Sequence, residues 1–314
     1  MTPVESQSLL SLAPMEGITD RCFRQLIIDS NPSQSIARTT TEFIRVTQYP
    51  IKAARIAEEL GEITPLTQTG VQLMGNSLEP IIETAIRAEG VGAAFIDLNF
   101  GCPAPRVFQH GAGSSLLAKP TLMANLVEAC KQNVKIPVSA KIRAGVEEDS
   151  NVEIICKTLE EAGADFIVVH GRLKIDPYTK PAKWERISRA VNAVQIPVYG
   201  NGDATDIKSI SQMINETKCS GVVIGRGALQ NPWIFEEWHT KKSNRKTSDF
   251  INWLKEYANR MERTKDAQPR WILGRLKQAA RAMGAKENIP FNKSLLRTSN
   301  FFDHLDYLAS KDFC

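Results

Sequence analysis

A cysteine framed by glycine and proline is the residue with the clearest chemical potential in this chain. The motif NFGCP occupies residues 99–103, so Cys102 lies in a turn whose neighbours restrict its backbone. An isolated cysteine is usually a small buried hydrophobic residue, whereas a tight turn presents its thiol. We therefore interpret Cys102 as reactive. The glycine-rich segment 111–115 that follows it predicts a flexible loop, either a lid that moves toward Cys102 or an ordinary connection.

Two other glycine-containing motifs favour a phosphate ligand. They are NGD at residues 201–203 and GRG at residues 225–227. Backbone N–H groups in glycine-rich turns bind phosphate oxygens, and the planar guanidinium of Arg226 can donate two hydrogen bonds to the same group. The alternative is that the glycines serve close packing and the arginine is a surface residue. Because the two motifs follow consecutive predicted strands, we favour the phosphate site.

Three polar residues at the ends of other predicted strands could interact with an electron-rich ring of a bound ligand. A lysine such as Lys141 that points into a closed mouth needs an anion nearby. His170 is either a core histidine or, beside Lys141, a group that stabilises negative charge on a bound ring. Gln72 offers both a donor and an acceptor to a ring edge.

The elements that must position these residues are short apolar or β-branched segments. They predict eight strands, at residues 9–15, 35–44, 69–74, 93–98, 137–142, 166–169, 197–199 and 221–224. Segments with helical spacing separate them, which favours a parallel sheet with right-handed crossovers. Eight such units predict an α/β fold of the TIM (β/α)8 barrel type, with a doubly wound sheet as the alternative. In a barrel the carboxyl ends of the strands meet at one mouth, so all these motifs would surround a single pocket.

The end of the chain differs from the rest in charge and pattern. Residues 241–314 contain 16 Lys and Arg against 8 Asp and Glu, whereas the preceding residues contain 23 against 27. Helical periodicity continues there without strand candidates, so we predict a barrel domain at 1–242 and an all-helical domain at 243–314. A basic unit favours a polyanionic partner, although a basic helical surface can also be merely solvated.

The cysteines and the hydropathy pattern exclude several classes of protein. The six cysteines are scattered without a C-x-x-C pair or a nearby histidine at ligand spacing, so we predict neither a disulfide framework nor a metal site. No apolar run approaches the roughly 20 residues of a membrane span, and residues 1–15 lack a basic opening segment. We expect a cytoplasmic, monomeric protein that does not bind membranes.

The motifs taken together resemble the tRNA-dihydrouridine synthase family over residues 12–302. The matching sequences are APMEG at 13–17, DLN at 97–99, GCP at 101–103, GAG at 111–113, LL at 116–117, HGR at 170–172, GNGD at 200–203 and GRGAL at 225–229, together with Lys141. The resemblance implies an FMN-binding barrel with a C-terminal helical domain. It also implies reduction of a D-loop uridine of transfer RNA at the expense of NADPH (or NADH).

The resemblance assigns roles to individual residues. Cys102 becomes the proton donor, and FMN would be held by Pro14, Met15, Glu16, Gln72, Lys141, His170, Asn201, Gly202, Asp203, Gly225 and Arg226. Segment 41–46 resembles the bacterial subgroup that modifies uridine 16, and the transfer RNA contacts would be Arg45, Asn99, Tyr178, Arg275, Lys277 and Arg297. The chain departs from the family pattern at Leu173, where threonine is usual, and at Arg106, where lysine is common.

The implied chemistry sets a condition on the thiol. Hydride addition at carbon-6 of uracil leaves charge that a proton at carbon-5 must quench, so we expect the pKa of Cys102 not to be lowered. The uridine must leave the folded RNA to reach a barrel mouth, where Phe43 or Tyr178 could stack on it.

Two other functions fit parts of the sequence. A small-molecule flavin oxidoreductase, such as a dihydroorotate dehydrogenase, would use the same barrel, but the basic C-terminal unit argues against it. An RNA-binding protein without catalysis would not need Cys102, Lys141 and the phosphate motif.

Overall fold

Eight parallel strands close into a barrel. The computed structural model describes residues 9–32, 34–64, 67–264, 267–285, 291, 301–303 and 305–306. The strands are β1 (Leu9–Leu12), β2 (Arg38–Thr40), β3 (Ile44–Arg45), β4 (Gln68–Met74), β5 (Ile96–Phe100), β6 (Val138–Arg143), β7 (Phe166–His170), β8 (Val198–Asn201) and β9 (Gly221–Ile224). β1 pairs with β2 and β9, and β2 also pairs with β4, so every strand except the short β3 belongs to one closed ring. The predicted TIM barrel is confirmed.

Helices surround the ring and follow most of its strands. They are α1 (Arg21–Asp29), α2 (Ala53–Leu60), α3 (Leu78–Gly90), α4 (Pro105–Gln109), α5 (Pro120–Asn133), α6 (Val152–Glu161), α7 (Glu185–Ala193), α8 (Ile207–Thr217), α9 (Arg226–Gln230), α10 (Ile234–Thr240), α11 (Thr247–Glu262) and α12 (Pro269–Met283). A 3-10 helix at Gly113–Ala118 precedes α5. Within the described part of the chain, no helix has the length and apolar character needed to cross a membrane.

One predicted strand is divided in the structure. The run at residues 35–44 forms β2, and its end forms the separate strand β3 beside the last residues of β4. Between the two, the backbone N–H of Gln72 donates to the side-chain hydroxyl of Thr41 at 3.0 Å. Because a hydroxyl takes the place of a main-chain acceptor there, the regular ladder is interrupted and the chain bends at the mouth.

Aromatic side chains fill the bottom of the barrel. The ring of Phe166 contacts those of Phe95 and Tyr199 edge to face, each with centroids 5.5 Å apart. Gly70 on β4 makes room for them, because a Cβ atom there would lie 2.3 Å from the Phe95 ring. The guanidinium of Arg38 lies 4.8 Å from the Phe166 ring centroid and donates to the Tyr199 hydroxyl at 2.7 Å. This end of the barrel is therefore closed by packed side chains.

The C-terminal helices pack on the first helix of the barrel. Phe23 of α1 contacts Trp253 and Tyr257 of α11, with ring centroids 5.6 and 5.8 Å apart. The Tyr257 hydroxyl donates to Asp20 at 2.7 Å, immediately before α1. One face of α11 is apolar and buried against this helix and its surroundings: Ile251, Leu254, Ala258 and Met261.

Candidate active site

A cavity of about 650 Å³ opens at the carboxyl ends of the barrel strands. This volume suits a cofactor or a drug-sized ligand. The residues predicted to hold a cofactor all line it: Pro14, Met15, Glu16, Gln72, Lys141, His170, Asn201, Gly202, Asp203, Gly225 and Arg226. Cys102, Asn99 and Tyr178 line it as well. The barrel therefore gathers the predicted motifs around one opening, because its strands all run in the same direction.

The turn that carries Cys102 is held from both sides. The backbone N–H groups of Gly101 and Cys102 donate to the side-chain oxygen of Asn99 at 3.0 and 2.9 Å. On the other side, the N–H of Ser114 donates to the Cys102 carbonyl at 3.1 Å. Gly113, at a φ of 59°, allows this approach, because a Cβ atom there would lie 3.0 Å from that carbonyl oxygen.

The segment predicted as a flexible loop is ordered and packed. Residues 113–118 form a 3-10 helix, and Ser114, Leu116 and Leu117 are buried. The prediction of a lid or a loose connection at residues 111–115 is therefore wrong. Gly113 allows close packing against the Cys102 turn.

The Cys102 thiol retains its proton in this environment. Its side chain is half-buried, and burial raises the pKa of the thiol, with a further rise from the carboxylate of Glu16. A hydrogen bond from the Ala104 backbone and the positive charges of Arg143 and Lys141 oppose this rise without reversing it. The direction agrees with the expectation for a thiol that donates a proton.

Lys141 and His170 form a second group on the cavity wall. The Lys141 ammonium donates to the side-chain oxygen of Asn201 at 3.2 Å, and burial lowers the pKa of Lys141 to about 8. Burial and the charge of Lys141 also hold the pKa of His170 well below its usual value, so the imidazole is neutral. Its Nδ1 accepts from the backbone N–H of Arg172 at 3.3 Å, which leaves the proton on Nε2.

Asp203 orients two arginines beside the glycine-rich turns. Its carboxylate accepts from Arg172 at 2.8 and 2.7 Å, from Arg226 at 2.6 Å and from the backbone N–H of Ala182 at 2.7 Å. A carboxylate repels a phosphate, whereas a fixed guanidinium attracts one. The geometry therefore gives Arg226 the direct role toward an anion and Asp203 the role of fixing that arginine.

Tyr178 lies above the cavity and is 56% exposed. Three guanidinium groups face its ring, those of Arg143, Arg172 and Arg226, at 5.5, 5.8 and 5.1 Å from the centroid. Arg143 was missed as a site residue in the sequence. It is two residues from Lys141 on β6 and so shares its face of the strand, which is the signal that could have found it.

Arg143 also joins two segments at the mouth of the barrel through hydrogen bonds. It donates to the carbonyl of Gly101 at 3.1 Å and to that of Leu173 at 2.6 Å. Leu173, which departs from the family pattern, is buried and takes part through its backbone. Arg106, the other departure, is exposed on α4.

The residues predicted to contact RNA are divided between the cavity and its surroundings. Arg45 on β3 and Lys277 on α12 are half-buried and do not line the cavity. Arg275 on α12 lies 3.8 Å from Asp20 and 3.9 Å from Glu42, and its side chain is 15% exposed. Arg297 lies outside the described residues.

A closed parallel barrel with a cavity at its carboxyl mouth is the architecture of the TIM-barrel enzymes. Within that class, residues 11–286 match the family described as dihydrouridine synthase. The chain belongs to the dihydrouridine synthase family.

Relatives of known name agree with this assignment. The chain is 36% identical over 236 residues to tRNA-dihydrouridine synthase B of Pseudomonas aeruginosa, covering 75% of this chain and 70% of that protein. It is 31% identical over 293 residues to tRNA-dihydrouridine(16) synthase of Neisseria meningitidis serogroup A, covering 88% of this chain and 86% of that protein.

Solved structures share the fold at low identity. Histamine dehydrogenase from Rhizobium sp. 4-9 superposes with a TM-score of 0.58 at 10% identity, covering 81% of this chain and 49% of that one. The chain thus spans about half the length of that structure, and the similarity shows the barrel alone.

Proposed function

We propose that this protein is a flavin-dependent tRNA-dihydrouridine synthase that reduces a D-loop uridine, with uridine 16 as the target. The observation that carries the proposal is the half-buried thiol of Cys102 in the same cavity as Lys141 and the Arg226 turn. The choice of uridine 16 is supported by the names of the Neisseria meningitidis and Ralstonia nicotianae relatives and by the resemblance of segment 41–46.

The cavity wall fits FMN in the kinds of groups it offers. Arg226, with the backbone of Gly202 and Gly225, would hold the phosphate, because these groups supply donors at one side of the cavity. Lys141 and Gln72 would face the flavin ring. The chemistry that FMN supplies when bound is hydride transfer to carbon-6 of uracil, with NADPH (or NADH) as the source of reducing equivalents.

The protein side chains would then handle the proton and the charge. The raised pKa of Cys102 keeps a proton on sulfur until carbon-5 of the ring needs it. The ammonium of Lys141 supplies positive charge on the cavity wall, where negative charge develops. The exposed ring of Tyr178 offers a surface on which an extruded base can stack.

The C-terminal helices would hold the rest of the RNA. Arg275 and Lys277 lie on α12 together with the exposed residues Arg270 and Arg281, so this helix carries several positive charges. Such a surface attracts phosphates at low ionic strength. We propose that the protein acts as a monomer in the cytoplasm, where transfer RNA is modified.

Substitution of the proposed proton donor tests this function. We expect the Cys102→Ala protein to retain bound FMN and affinity for transfer RNA, while dihydrouridine formation falls on the order of 100-fold or more, because a positioned acid contributes about that much. Mass spectrometry of the RNA measures the product, and the absorbance spectrum measures the flavin.

A matched control is Cys219→Ala, the same change at a buried cysteine outside the cavity. It should leave dihydrouridine formation close to that of the unchanged protein. Undiminished product from Cys102→Ala would refute the proton-donor role, and a purified protein that cannot take up FMN would refute the flavin-dependent function.

A further inference from the structure

Asp97 does not line the mouth cavity, yet the structure connects it to the reactive cysteine. We propose that Asp97 is a positioning residue for the Cys102 turn. It acts through the two side chains between them, Gln72 and Asn99. The inference deepens the proposed function and rests on it, because it concerns the placement of the group that would deliver the proton.

A continuous set of hydrogen bonds joins the two residues. The Gln72 Nε2 atom donates to Asp97 Oδ2 at 2.6 Å, and the Asn99 Nδ2 atom donates to Gln72 Oε1 at 2.7 Å. Asn99 Oδ1 then accepts from the backbone N–H of Cys102 at 2.9 Å. The three side chains are buried, with exposures of 3% for Asp97, 1% for Gln72 and 8% for Asn99.

The barrel register brings these side chains together. Asp97 and Asn99 are two residues apart on β5, so both point into the barrel, and Gln72 on β4 pairs in register with Asp97. The second oxygen of Asp97 accepts from the Ser139 hydroxyl at 2.7 Å, on the neighbouring strand β6. The carboxylate is therefore fixed from two strands and belongs to the layer directly below the cavity.

The groups at the two ends of this set determine which atom donates in each of its hydrogen bonds. Backbone N–H groups can only donate, so Asn99 must present its oxygen to the turn and its nitrogen to Gln72. Gln72 must then present its oxygen to Asn99 and its nitrogen to an acceptor. Asp97 Oδ2 is that acceptor, so Asp97 is the group that holds the Gln72 amide in this orientation.

The same directions decide what the cavity wall offers to a ligand. An amide nitrogen carries two hydrogens, and each of the two amides uses one of them inside the set. Both residues line the cavity, and each amide nitrogen keeps one hydrogen that could donate to a carbonyl oxygen of a bound ring. A reversed Gln72 would present an acceptor and would release the turn at the same time.

The consequence for the reaction is geometric. The thiol must meet one ring carbon, and a displacement of about 1 Å can lower a rate on the order of 100-fold. Without the acceptor at Asp97, the Gln72 amide is free to rotate, and Asn99 then loses the oxygen to which its nitrogen donates. The Asn99 amide can rotate in turn, and the Cys102 N–H loses its acceptor. The sulfur would then sample positions that are more exposed to solvent.

Two substitutions at Asp97 separate the effect of its hydrogen-bond acceptor from the effect of its charge. Asp97→Leu removes the acceptor and keeps the same number and branching of side-chain heavy atoms. Asp97→Asn removes the charge but keeps an oxygen for Gln72, while its new amide nitrogen can donate to the Ser139 hydroxyl. Ser139→Ala is the control, since it removes the second bond of Asp97 and leaves the connection to Gln72 intact.

The first measurement is the alkylation rate of Cys102 by iodoacetamide in the flavin-loaded proteins, followed by peptide mapping. We expect Asp97→Leu to raise this rate on the order of 10-fold, the effect of one unsatisfied buried polar group on the population of open conformations. Asp97→Asn and Ser139→Ala should stay within about twofold of the unchanged protein, a small fraction of that effect.

The second measurement separates the two halves of the reaction. In Asp97→Leu, reoxidation of the reduced flavin by transfer RNA should fall on the order of 10-fold more than flavin reduction by NADPH. A purely structural role would lower both rates to the same extent. If Asp97→Leu does not fold, Gln72→Met removes the middle link and must raise the alkylation rate in the same way.

The proposal is overturned if the variant that folds alkylates at the rate of the unchanged protein, or if Asp97→Asn is as impaired as Asp97→Leu. The alkylation result does not depend on turnover. If the unchanged protein formed no dihydrouridine, the proposed function would fail while the role of Asp97 in holding the turn could still be confirmed.

Discussion

Each end of the barrel holds a half-buried positive charge, but the surroundings of the two charges differ. At the bottom, Arg38 lies against the rings of Phe166 and Tyr199 and donates to the Tyr199 hydroxyl and to Gln68. At the mouth, Lys141 donates to Asn201 at 3.2 Å and its pKa is lowered to about 8. The bottom charge is satisfied within the fold, whereas the mouth charge is held in a position that a bound anion would improve. Substitutions at the bottom should therefore change stability, and those at the mouth should change binding.

The largest effect is expected at Lys141. In Lys141→Met the affinity for FMN should fall about 10- to 100-fold, the effect of losing a hydrogen bond to a charged group, as measured by flavin titration of the flavin-free protein. The control Lys131→Met, which removes an ion pair with Asp165 on the outside of the barrel, should bind FMN normally. Normal FMN affinity in Lys141→Met would break the distinction between the two ends.

The pH dependence of stability is a second test of the buried environment of Lys141. Between pH 8 and 10.5 Lys141 is neutral in the folded flavin-free protein and protonated in the unfolded chain, because burial lowers its pKa from 10.5 to about 8. The unfolded state then binds more protons, so the free energy of unfolding rises with pH across this window. Denaturant titrations should show that Lys141→Met lacks this part of the rise. An identical pH profile in both proteins would contradict the assignment.

Tyr178 is the next test at the mouth. Tyr178→Ala should weaken transfer RNA binding by about 1–3 kcal/mol, the usual value for one base stacked on an aromatic ring, without loss of flavin. Tyr178→Phe keeps the ring and should bind nearly normally in the same titration at fixed salt. Equal weakening in both variants would show that the hydroxyl, and not stacking, matters.

Arg38 tests the bottom of the barrel. Arg38→Met should lower the free energy of unfolding by about 1–2 kcal/mol, because it removes contacts with two aromatic rings and two hydrogen bonds, while dihydrouridine formation by the folded protein stays unchanged. Denaturant unfolding measures the first and product analysis the second. Arg55→Met, which removes exposed ion pairs on α2, should cost less than about 1 kcal/mol.

The smallest effect is expected on α12. Lys277→Gln should reduce the slope of the logarithm of transfer RNA affinity against the logarithm of salt concentration by about one, the value for one phosphate contact. Lys157→Gln on the exposed face of α6 is the control and should leave the slope unchanged. An unaltered slope in Lys277→Gln would place the RNA elsewhere on the surface.

The parts of the site that the sequence predicted are those encoded by neighbouring residues. The eight strands follow from local apolar runs, and the Cys102 turn follows from its own glycine and proline. Because all strands of a parallel barrel point the same way, locating their ends was enough to predict the shared cavity.

The sequence could not predict contacts that depend on register. The bond between Gln72 and Asp97 exists because β4 and β5 pair with these residues side by side, which no local pattern reveals. The packed helix at residues 113–118 was missed for a related reason. Glycine is equally common in mobile loops and at close approaches, and only the position of the Cys102 carbonyl decides between them.

Asp20 connects the first helix of the barrel with the C-terminal helices α11 and α12. Its carboxylate begins α1 by accepting from the Phe23 N–H, it accepts from the Tyr257 hydroxyl of α11, and it faces Arg275 of α12. The residue lies shortly after Met15 and Glu16 on the cavity wall. A displacement of α11 would therefore reach the segment that lines the cavity, through the hydrogen bond of Tyr257 to Asp20 and the contact of Trp253 with Phe23.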